Sequence, residues 1–408
     1  MAKTVEHYDV VVIGGGAAGL TAGIYCGRAR LKTLIIEKAL VGGLATYTNE
    51  MENYPGFPEG STGLGLMELF HRQAKKFGVQ FKLTDVKAVR LEGEDKVVET
   101  FRNEFHCKAV ILATGGKPRL TGAPNEDKYL YDKGISFCAT CDAAANTDKT
   151  VLVIGSGDAA IEEGMFLTKF AKKVIVSVLH DEGIMDCNEI AKGEALKNPK
   201  MEFLWNTTVH EFRGGEEHLR SVALKNSKTG EILDVPVDTC FIFIGYLPNT
   251  ELFRGMVDMT RGGYILTNER METRIPGVFA AGDVREKFLR QVATAVGDGA
   301  IAGYAAEKYI AESEMFESQV MGESPRIVYV YNAASAGDRE LLGAMEQYEQ
   351  CRCDLKLIKA DVYKSNGIAQ RLNVSETPCV VYIRDGEVVG SVACDRICPE
   401  NIDALRRT

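Results

Sequence analysis

The 408-residue sequence predicts an α/β protein, and three observations carry that prediction. An apolar strand, a glycine turn, a helix and a second apolar strand follow one another in "YDVVVIGGGAAGLTAGIYCGRARLKTLIIEK" (8–38). The same order returns in "KTVLVIGSGDAAIEEGMFLTKFAKKVIVSV" (149–178). Near the C-terminus, strand and helix alternate again and end in a hairpin and a helix. The first two segments are βαβ nucleotide units, so two Rossmann-like nucleotide-binding domains are expected.

The elements follow in order. After the first unit come short strands and loops, closing with the strand "AVILATGG" (109–116). Glycine-rich motifs return in "GVFAAGDV" and "RQVATAVGDGAIAG" (277–284, 290–303). The first nucleotide domain is therefore discontinuous, 1–116 and 247–312, and the second, 117–246, is inserted into it. The polar stretch 313–325 reads as a linker. The remainder, 326–408, runs strand, helix, strand, helix, hairpin around Asp385-Gly386 and a last helix started by Pro399. That is the order of a thioredoxin-fold core.

A composition of 45% apolar and 26% charged residues is that of ordinary globular protein. No run of 18 apolar residues occurs, so no membrane span is expected. The opening "MAKTVEHYD" lacks an apolar signal core, so a cytoplasmic location is the default. A net charge of −9 argues against a general nucleic-acid binder. The eleven cysteines are not spaced like a secreted disulfide scaffold. Cys138 and Cys141 stand two residues apart in "SFCATCD"; Cys351 and Cys353, and Cys394 and Cys398, form looser pairs.

In the first unit Gly14, Gly16 and Gly19 have the spacing that permits a tight turn, close approach to a pyrophosphate, and close helix–strand packing. Glu37 ends the next strand, 18 residues after Gly19, where a ribose-binding acid belongs. On these residues alone the nucleotide is NAD or FAD. "CATCD" can close a disulfide within one turn. A helix start favours the thiolate, and Asp142 is placed to exchange the leaving thiol's proton. The alternative, half of a zinc site, needs two more ligands at similar spacing, and none follows nearby.

Several further segments, "GGLATYTNEMENYPGF" (42–57), "ILATGG" (111–116), "SFCATCD", "GYLPNT" (245–250), "GVFAAGDV" and "RQVATAVGDG", resemble the low-molecular-weight thioredoxin reductases, over residues 8 to about 310. The resemblance implies an FAD-dependent disulfide reductase, homodimeric, acting on thioredoxin or a thioredoxin-like protein. It places Gly43, Thr46, Asn53, Thr114 and Gly115 near the flavin, Asp283 on its ribityl chain, and Arg290, Gln291 and Val292 along its ring system. It makes Cys141 the flavin-facing thiol, Cys138 the attacking thiol and Asp142 the general acid. Hinges for domain rotation are expected near Gly115 and Gly245. Leu44 departs from the family, which has Gln there.

The second unit keeps Gly155, Gly157 and Ala160, a pyrophosphate pattern. Its strand end does not keep the family's grip. Val178, Leu179 and His180 stand where His-Arg-Arg belongs, and Ile184 where a further Arg belongs. Leucine and isoleucine cannot replace a bidentate guanidinium–phosphate contact. NAD(P)H binding is thus uncertain. Either a shifted turn brings Asp181 or Glu182 to an NADH ribose, or the donor is another one, such as reduced ferredoxin or a deazaflavin, or the site is vestigial.

In the C-terminal unit "SETPCVVYIRDGEVVG" (375–390) resembles the thioredoxin segment around its cis-proline, here Pro378. Ser335 and Asp338 stand near the places of thioredoxin's dithiol, so the usual thioredoxin reaction is excluded. The unit is a docking or dimer-shaping appendage, or else Cys379 and the pairs Cys351/Cys353 and Cys394/Cys398 form another relay. For the whole chain a flavin-based redox sensor or scaffold, or a reductase of a peroxiredoxin or another disulfide partner, are the alternatives.

Overall fold

The computed structural model describes every residue except 1–2, 49–50, 52, 131, 323–324, 353, 365–366 and 408. The chain forms two compact units, Met1–Glu307 and Lys308–Thr408. Among the described residues no helix is long and apolar enough to cross a membrane.

The first unit opens with β1 (Thr4–Ile13), α1 (Ala17–Arg28) and β2 (Thr33–Glu37), then α2 (Gly63–Lys76), β3 (Gln80–Leu83), β4 (Val86–Arg90), β5 (Lys96–Thr100) and β6 (Asn103–Leu112). The sheet order is β3-β2-β1-β6-β5-β4, and a later strand, Val278–Ala280, pairs in parallel with β6. β1, β2, β3 and β6 are parallel, as βαβ crossovers require. Val10, Val11 and Val12 are fully buried, Val11 in a core with Val98, Phe105, Phe253 and Ile265. Burying each side chain stabilises the fold by roughly 1.5–3 kcal/mol relative to exposure.

The inserted domain contains β7 (Gly116–Pro118), β8 (Ile135–Ser136), α3 (Ala139–Asp142), β9 (Thr150–Ile154), α4 (Asp158–Leu167), β10 (Lys173–Ser177), α5 (Glu189–Ala195) and β11 (Met201–Leu204). An antiparallel meander follows, β12 (Thr207–Gly214), β13 (Leu219–Asn226) and β14 (Ile232–Pro236), then β15 (Thr239–Ile242) and β16 (Tyr246–Pro248). Its main sheet, β11-β10-β9-β15-β8, is all parallel. The two chain crossings between the domains pair with each other, β7 against β16. Gly115 (φ 62°) and Gly245 (φ 117°) sit at their ends in backbone regions that glycine adopts without strain.

After β17 (Val278–Ala280), α6 (Val292–Met315) packs against α1. A Cβ on Gly299 would lie 2.2 Å from the Ala18 oxygen, so only glycine allows this approach. Of the stretch 313–325, whose polarity suggested a linker, residues 313–320 are helical instead. α6 runs to Met315, a π-turn continues it over Phe316–Val320, and Phe316 and Val320 are buried in the C-terminal core. These two apolar residues supply burial that the polar composition around them hides.

The C-terminal unit continues with β18 (Arg326–Tyr331), α7 (Ala336–Gln350), β19 (Lys356–Asp361), α8 (Gly367–Arg371), β20 (Cys379–Arg384), β21 (Glu387–Ala393) and α9 (Pro399–Arg407). The sheet order is β19-β18-β20-β21, with β18 parallel to β19 and antiparallel to β20. Alternate residues of β18 feed two cores: Val328 and Val330 pack with Ala369, and Ile327 and Tyr329 pack with Met345, Tyr348 and Ile402. Asp385 (φ 51°) and Gly386 (φ 76°) make the hairpin turn, and the Thr377–Pro378 peptide is cis.

Candidate active site

The glycine loop of the first unit is shaped by backbone contact. Gly14 has φ 107°, and a Cβ there would lie 2.2 Å from the Ala113 oxygen. A Cβ on Gly19 would lie 1.9 Å from the Gly14 oxygen. Gly16 N-caps α1, with no side chain capping that helix end. Glu37, at the end of β2, accepts from Gly15 N–H through Oε2 (2.8 Å) and from Ala39 N–H through Oε1 (2.9 Å). Gly42 bridges to Gly16, and its N–H donates to the Gly15 oxygen at 2.7 Å.

Beyond that loop, Gly43 (φ 62°) accepts from the Thr46 hydroxyl at 2.7 Å. Thr114 and Asn249 exchange side-chain bonds with each other's carbonyl oxygens (2.7 and 2.9 Å), and Asn249 N–H donates to the Gly115 oxygen. Asp283 and Arg290 sit half-buried with polar atoms unanswered: neither Asp283 Oδ1 nor Arg290 Nε has a hydrogen-bond partner. Burial pushes the Asp283 carboxyl up, opposed by Lys287 and Arg290. Orphaned groups of this kind are costly unless a ligand satisfies them. They fit a polyhydroxylated, nucleotide-bearing group such as FAD. Asp298 anchors the Asp283 loop, accepting from Gly282 N–H (3.1 Å), Lys287 (2.8 Å) and Arg285 (3.3 Å).

A cavity within this unit is lined by Thr48, Met51, Asn53, Thr140, Cys141, Gln291 and Val292. It brings predicted flavin-side residues and one predicted redox thiol together. Asn53 donates to Gln291 Oε1 (3.2 Å), and Gln291 Nε2 lies 3.4 Å from Thr140 Oγ1 and 3.8 Å from Cys138 Sγ. Cys138 and Cys141 are joined as a disulfide with Cα atoms 5.3 Å apart. Cys138 is the N-cap of α3, and its sulfur accepts from Cys141 N–H at 3.2 Å. Asp142 accepts from the Ser136 hydroxyl at 2.5 Å, and that hydroxyl accepts from Cys138 N–H at 3.2 Å. Burial raises the Asp142 carboxyl above the usual range, and the Ser136 bond opposes the rise. The acid is therefore biased toward holding a proton beside the thiols.

The second glycine loop has the same skeleton. Gly155 has φ 128°, and a Cβ on it would lie 2.5 Å from the Phe243 oxygen; Gly157 N-caps α4. Ala160 is buried against the sheet. What surrounds the loop differs. Val178 is buried, and Leu179 and Ile184 are exposed. His180 Nε2 lies 2.9 Å from Asp186 Oδ2, which also accepts from the Ser156 hydroxyl (3.3 Å). Asp186 bridges to Gly157, its N–H bonded to the Ser156 oxygen at 3.0 Å. Asp158, first in α4, accepts twice from Asn188 (2.7 and 2.9 Å). Asp181 pairs with Lys228.

In the C-terminal unit Ser335 N-caps α7 and bonds Asp338, which leaves a helix start without sulfur. Cys351 is exposed, Cys394 and Cys398 are half-buried, and Cys379 is buried, all as free thiols; Cys353 lies outside the described residues. Among the described residues no cluster suits a metal ion. Ser136, Asp158, Asp186, Asn249 and Asp298 escaped the reading of the sequence. Ser136, Asn249 and Asp298 stand inside the quoted "SFCATCD", "GYLPNT" and "RQVATAVGDG", and Asp158 inside the second βαβ segment, but the partners of all five are set by folding.

The chain matches the model of the pyridine nucleotide-disulphide oxidoreductase family over residues 8–299. It is 43% identical to a thioredoxin reductase of Peptoclostridium acidaminophilum over 309 residues, 74% of this chain and 97% of that protein. A thioredoxin reductase of Bacillus subtilis (strain 168) is 43% identical over 305 residues, 75% of this chain and 95% of the relative. Among solved structures, the thioredoxin reductase from Streptococcus pyogenes MGAS5005 aligns with a TM-score of 0.71 at 39% identity. That alignment covers 75% of this chain and 99% of the other. Each of these three alignments leaves about a quarter of this chain uncovered.

Proposed function

The chain belongs to the pyridine nucleotide-disulphide oxidoreductase family as a thioredoxin reductase homologue, and from that premise we propose that it reduces thioredoxin or a thioredoxin-like protein through Cys141 and Cys138. It is a flavoprotein oxidoreductase, and its cofactor is FAD. The observation that carries the proposal is the Cys138–Cys141 disulfide at the start of α3, with Cys141 lining the cavity shared by Asn53, Gln291 and Val292.

FAD, when bound, would supply a two-electron store for the Cys138–Cys141 pair. Gly14, Gly16, Gly19 and Glu37 would hold its nucleotide end. Gly43, Thr46, Asn53, Thr114, Gly115, Asp283, Arg290, Gln291 and Val292 would hold the rest. Two electrons break the Cys138–Cys141 bond. Cys138 thiolate attacks the partner disulfide, and Cys141 resolves the mixed disulfide. Asp142, held by Ser136, protonates the departing thiolate. Cys138→Ser should abolish partner reduction while leaving flavin content unchanged. Turnover retained by that variant would contradict the assignment.

The donor is proposed to be something other than NADPH or NADH, with reduced ferredoxin the first to test. The support is electrostatic. Beside the second glycine loop stand Asp158 and Asp186, each already bonded within the protein, and no arginine stands at the strand end. A pyrophosphate at this loop would meet two carboxylates, and a ribose phosphate at the strand end would meet Leu179 and Ile184 in place of guanidinium groups.

The sheet order and the Asp385-Gly386 hairpin support a thioredoxin-like fold for 326–408, without a dithiol at the start of α7. A docking role fits that unit best. The β7/β16 pair, with Gly115 and Gly245 at its ends, suits a rotation between 117–246 and the flavin domain. A homodimer is the proposed assembly, to be checked by light scattering.

A further inference from the structure

Behind the dithiol helix lies a carboxylate that disulfide exchange leaves without a task. α4 packs against α3 through a cluster of small buried residues that includes Ala139, Ala143 and Ala160. Glu163 stands on α4 one turn after Ala160. Its Oε2 is buried and has no hydrogen-bond partner. Its carboxyl faces the Thr140 amide, between the two cysteines; burial raises it above the usual range, Glu162 adds to the rise, and the Thr140 amide opposes it. An unanswered buried carboxylate oxygen is costly, and protonation relieves that cost.

We propose that Glu163 is a positioning residue for the redox pair: its protonation state, set behind the Cys138–Cys141 turn, controls how readily a thiolate forms there. This rests on Cys138 and Cys141 being the redox pair. Neutral Glu163 leaves the thiolate unopposed. Ionised Glu163 adds a second negative charge on the far side of α3 and opposes it. Glu163 makes and breaks no bond to sulfur; when two electrons split the disulfide, one sulfur remains thiolate and the other takes a proton from solvent or Asp142.

The other charges near this turn are accounted for. Asp142 accepts from the Ser136 hydroxyl, and Asp132 is close enough to interact with it. Glu162 is exposed on the same helix, as is Asp158 at its start. From α5, Glu189 pairs with Lys192, and Glu194 is exposed.

The test is iodoacetamide alkylation of the reduced full-length holoprotein across pH, read at the Cys138 and Cys141 peptides by mass spectrometry. Glu163→Gln should move the reactivity midpoint to lower pH and raise the rate at pH 7 about threefold to tenfold, as a shift of half to one unit implies. Glu162→Gln, an equal charge change on an exposed site, should stay within about twofold of wild type. A Glu163→Gln curve that superimposes on wild type, or a Glu162→Gln shift of equal size, overturns the proposal. Should Glu163→Gln not fold, the wild-type equilibrium with dithiothreitol decides. Disulfide reduction should take up more protons than the two thiols account for; a count matching the thiols alone overturns it. Failure of the redox reading is distinct: neither cysteine would then cycle between disulfide and reactive thiol.

Discussion

The two βαβ units of the first compact unit share a backbone and differ in what they can hold. Register makes the comparison strict. Ile13 pairs with Ile36 across β1/β2, and Ile154 with Ser177 across β9/β10, so Gly14 corresponds to Gly155 and Glu37 to Val178. In both, a segment beyond the second strand bridges to the loop, through Gly42 in one and Asp186 in the other. The first unit offers Glu37 and a side-chain-free Gly42. The second offers buried Val178 and the carboxylates of Asp158 and Asp186. A glycine loop is thus a statement about the turn, and the ligand is decided by the strand end and the bridging segment.

The largest expected effect tests the shared part. Gly14→Ala and Gly155→Ala each force a Cβ to within 2.2 and 2.5 Å of a carbonyl oxygen at positive φ. Both should destabilise by several kcal/mol, measured by denaturant midpoint, although only one loop is proposed to hold a nucleotide. If Gly155→Ala were silent, the two loops would not be built alike.

The next tests the difference. Glu37→Val copies the second unit into the first and removes a charged acceptor for Gly15 N–H. FAD affinity should fall roughly tenfold to a hundredfold, the loss of one charged hydrogen bond, read from flavin-to-protein absorbance on dilution. In the second unit, Gly157→Ala meets nothing within 4 Å and should leave turnover with the true donor unchanged. A large loss there would show that a ligand's backbone contact had been overlooked.

The smallest effect concerns the acid beside the dithiol. Asp142 titrates above the ordinary carboxylate value in the fold, chiefly through burial. The folded state therefore holds a proton that the unfolded chain has released. Stability falls as pH rises from the ordinary carboxylate value through the folded one, and the cost is fully present above the folded value. Asp142→Asn should be slightly more stable than wild type at pH 7, with the gap closing toward pH 3, while partner reduction slows. A gap that widens on acidification would reverse the sign of the argument.

Much of this site was legible in the sequence because it lies in local patterns. Gly14, Gly16 and Gly19 announce a turn, Cys138 and Cys141 a one-turn disulfide, and Asp385-Gly386 a hairpin. The rest depends on burial and on contacts that appear only on folding. Ser136 gains meaning only from Asp142's burial, and Asp186 only from its bridge to Gly157. The stretch 313–325 read as a linker because its polar residues outnumber the two, Phe316 and Val320, that the C-terminal core buries.

The central claim is that the first nucleotide unit is used and the second is not. Anaerobic addition of stoichiometric NADPH, NADH or reduced ferredoxin to the flavoprotein, followed by flavin absorbance, tests it most directly. The account predicts that neither nicotinamide bleaches the flavin on the timescale of turnover and that a low-potential protein donor does. Rapid, stoichiometric bleaching by NADPH or NADH would contradict it.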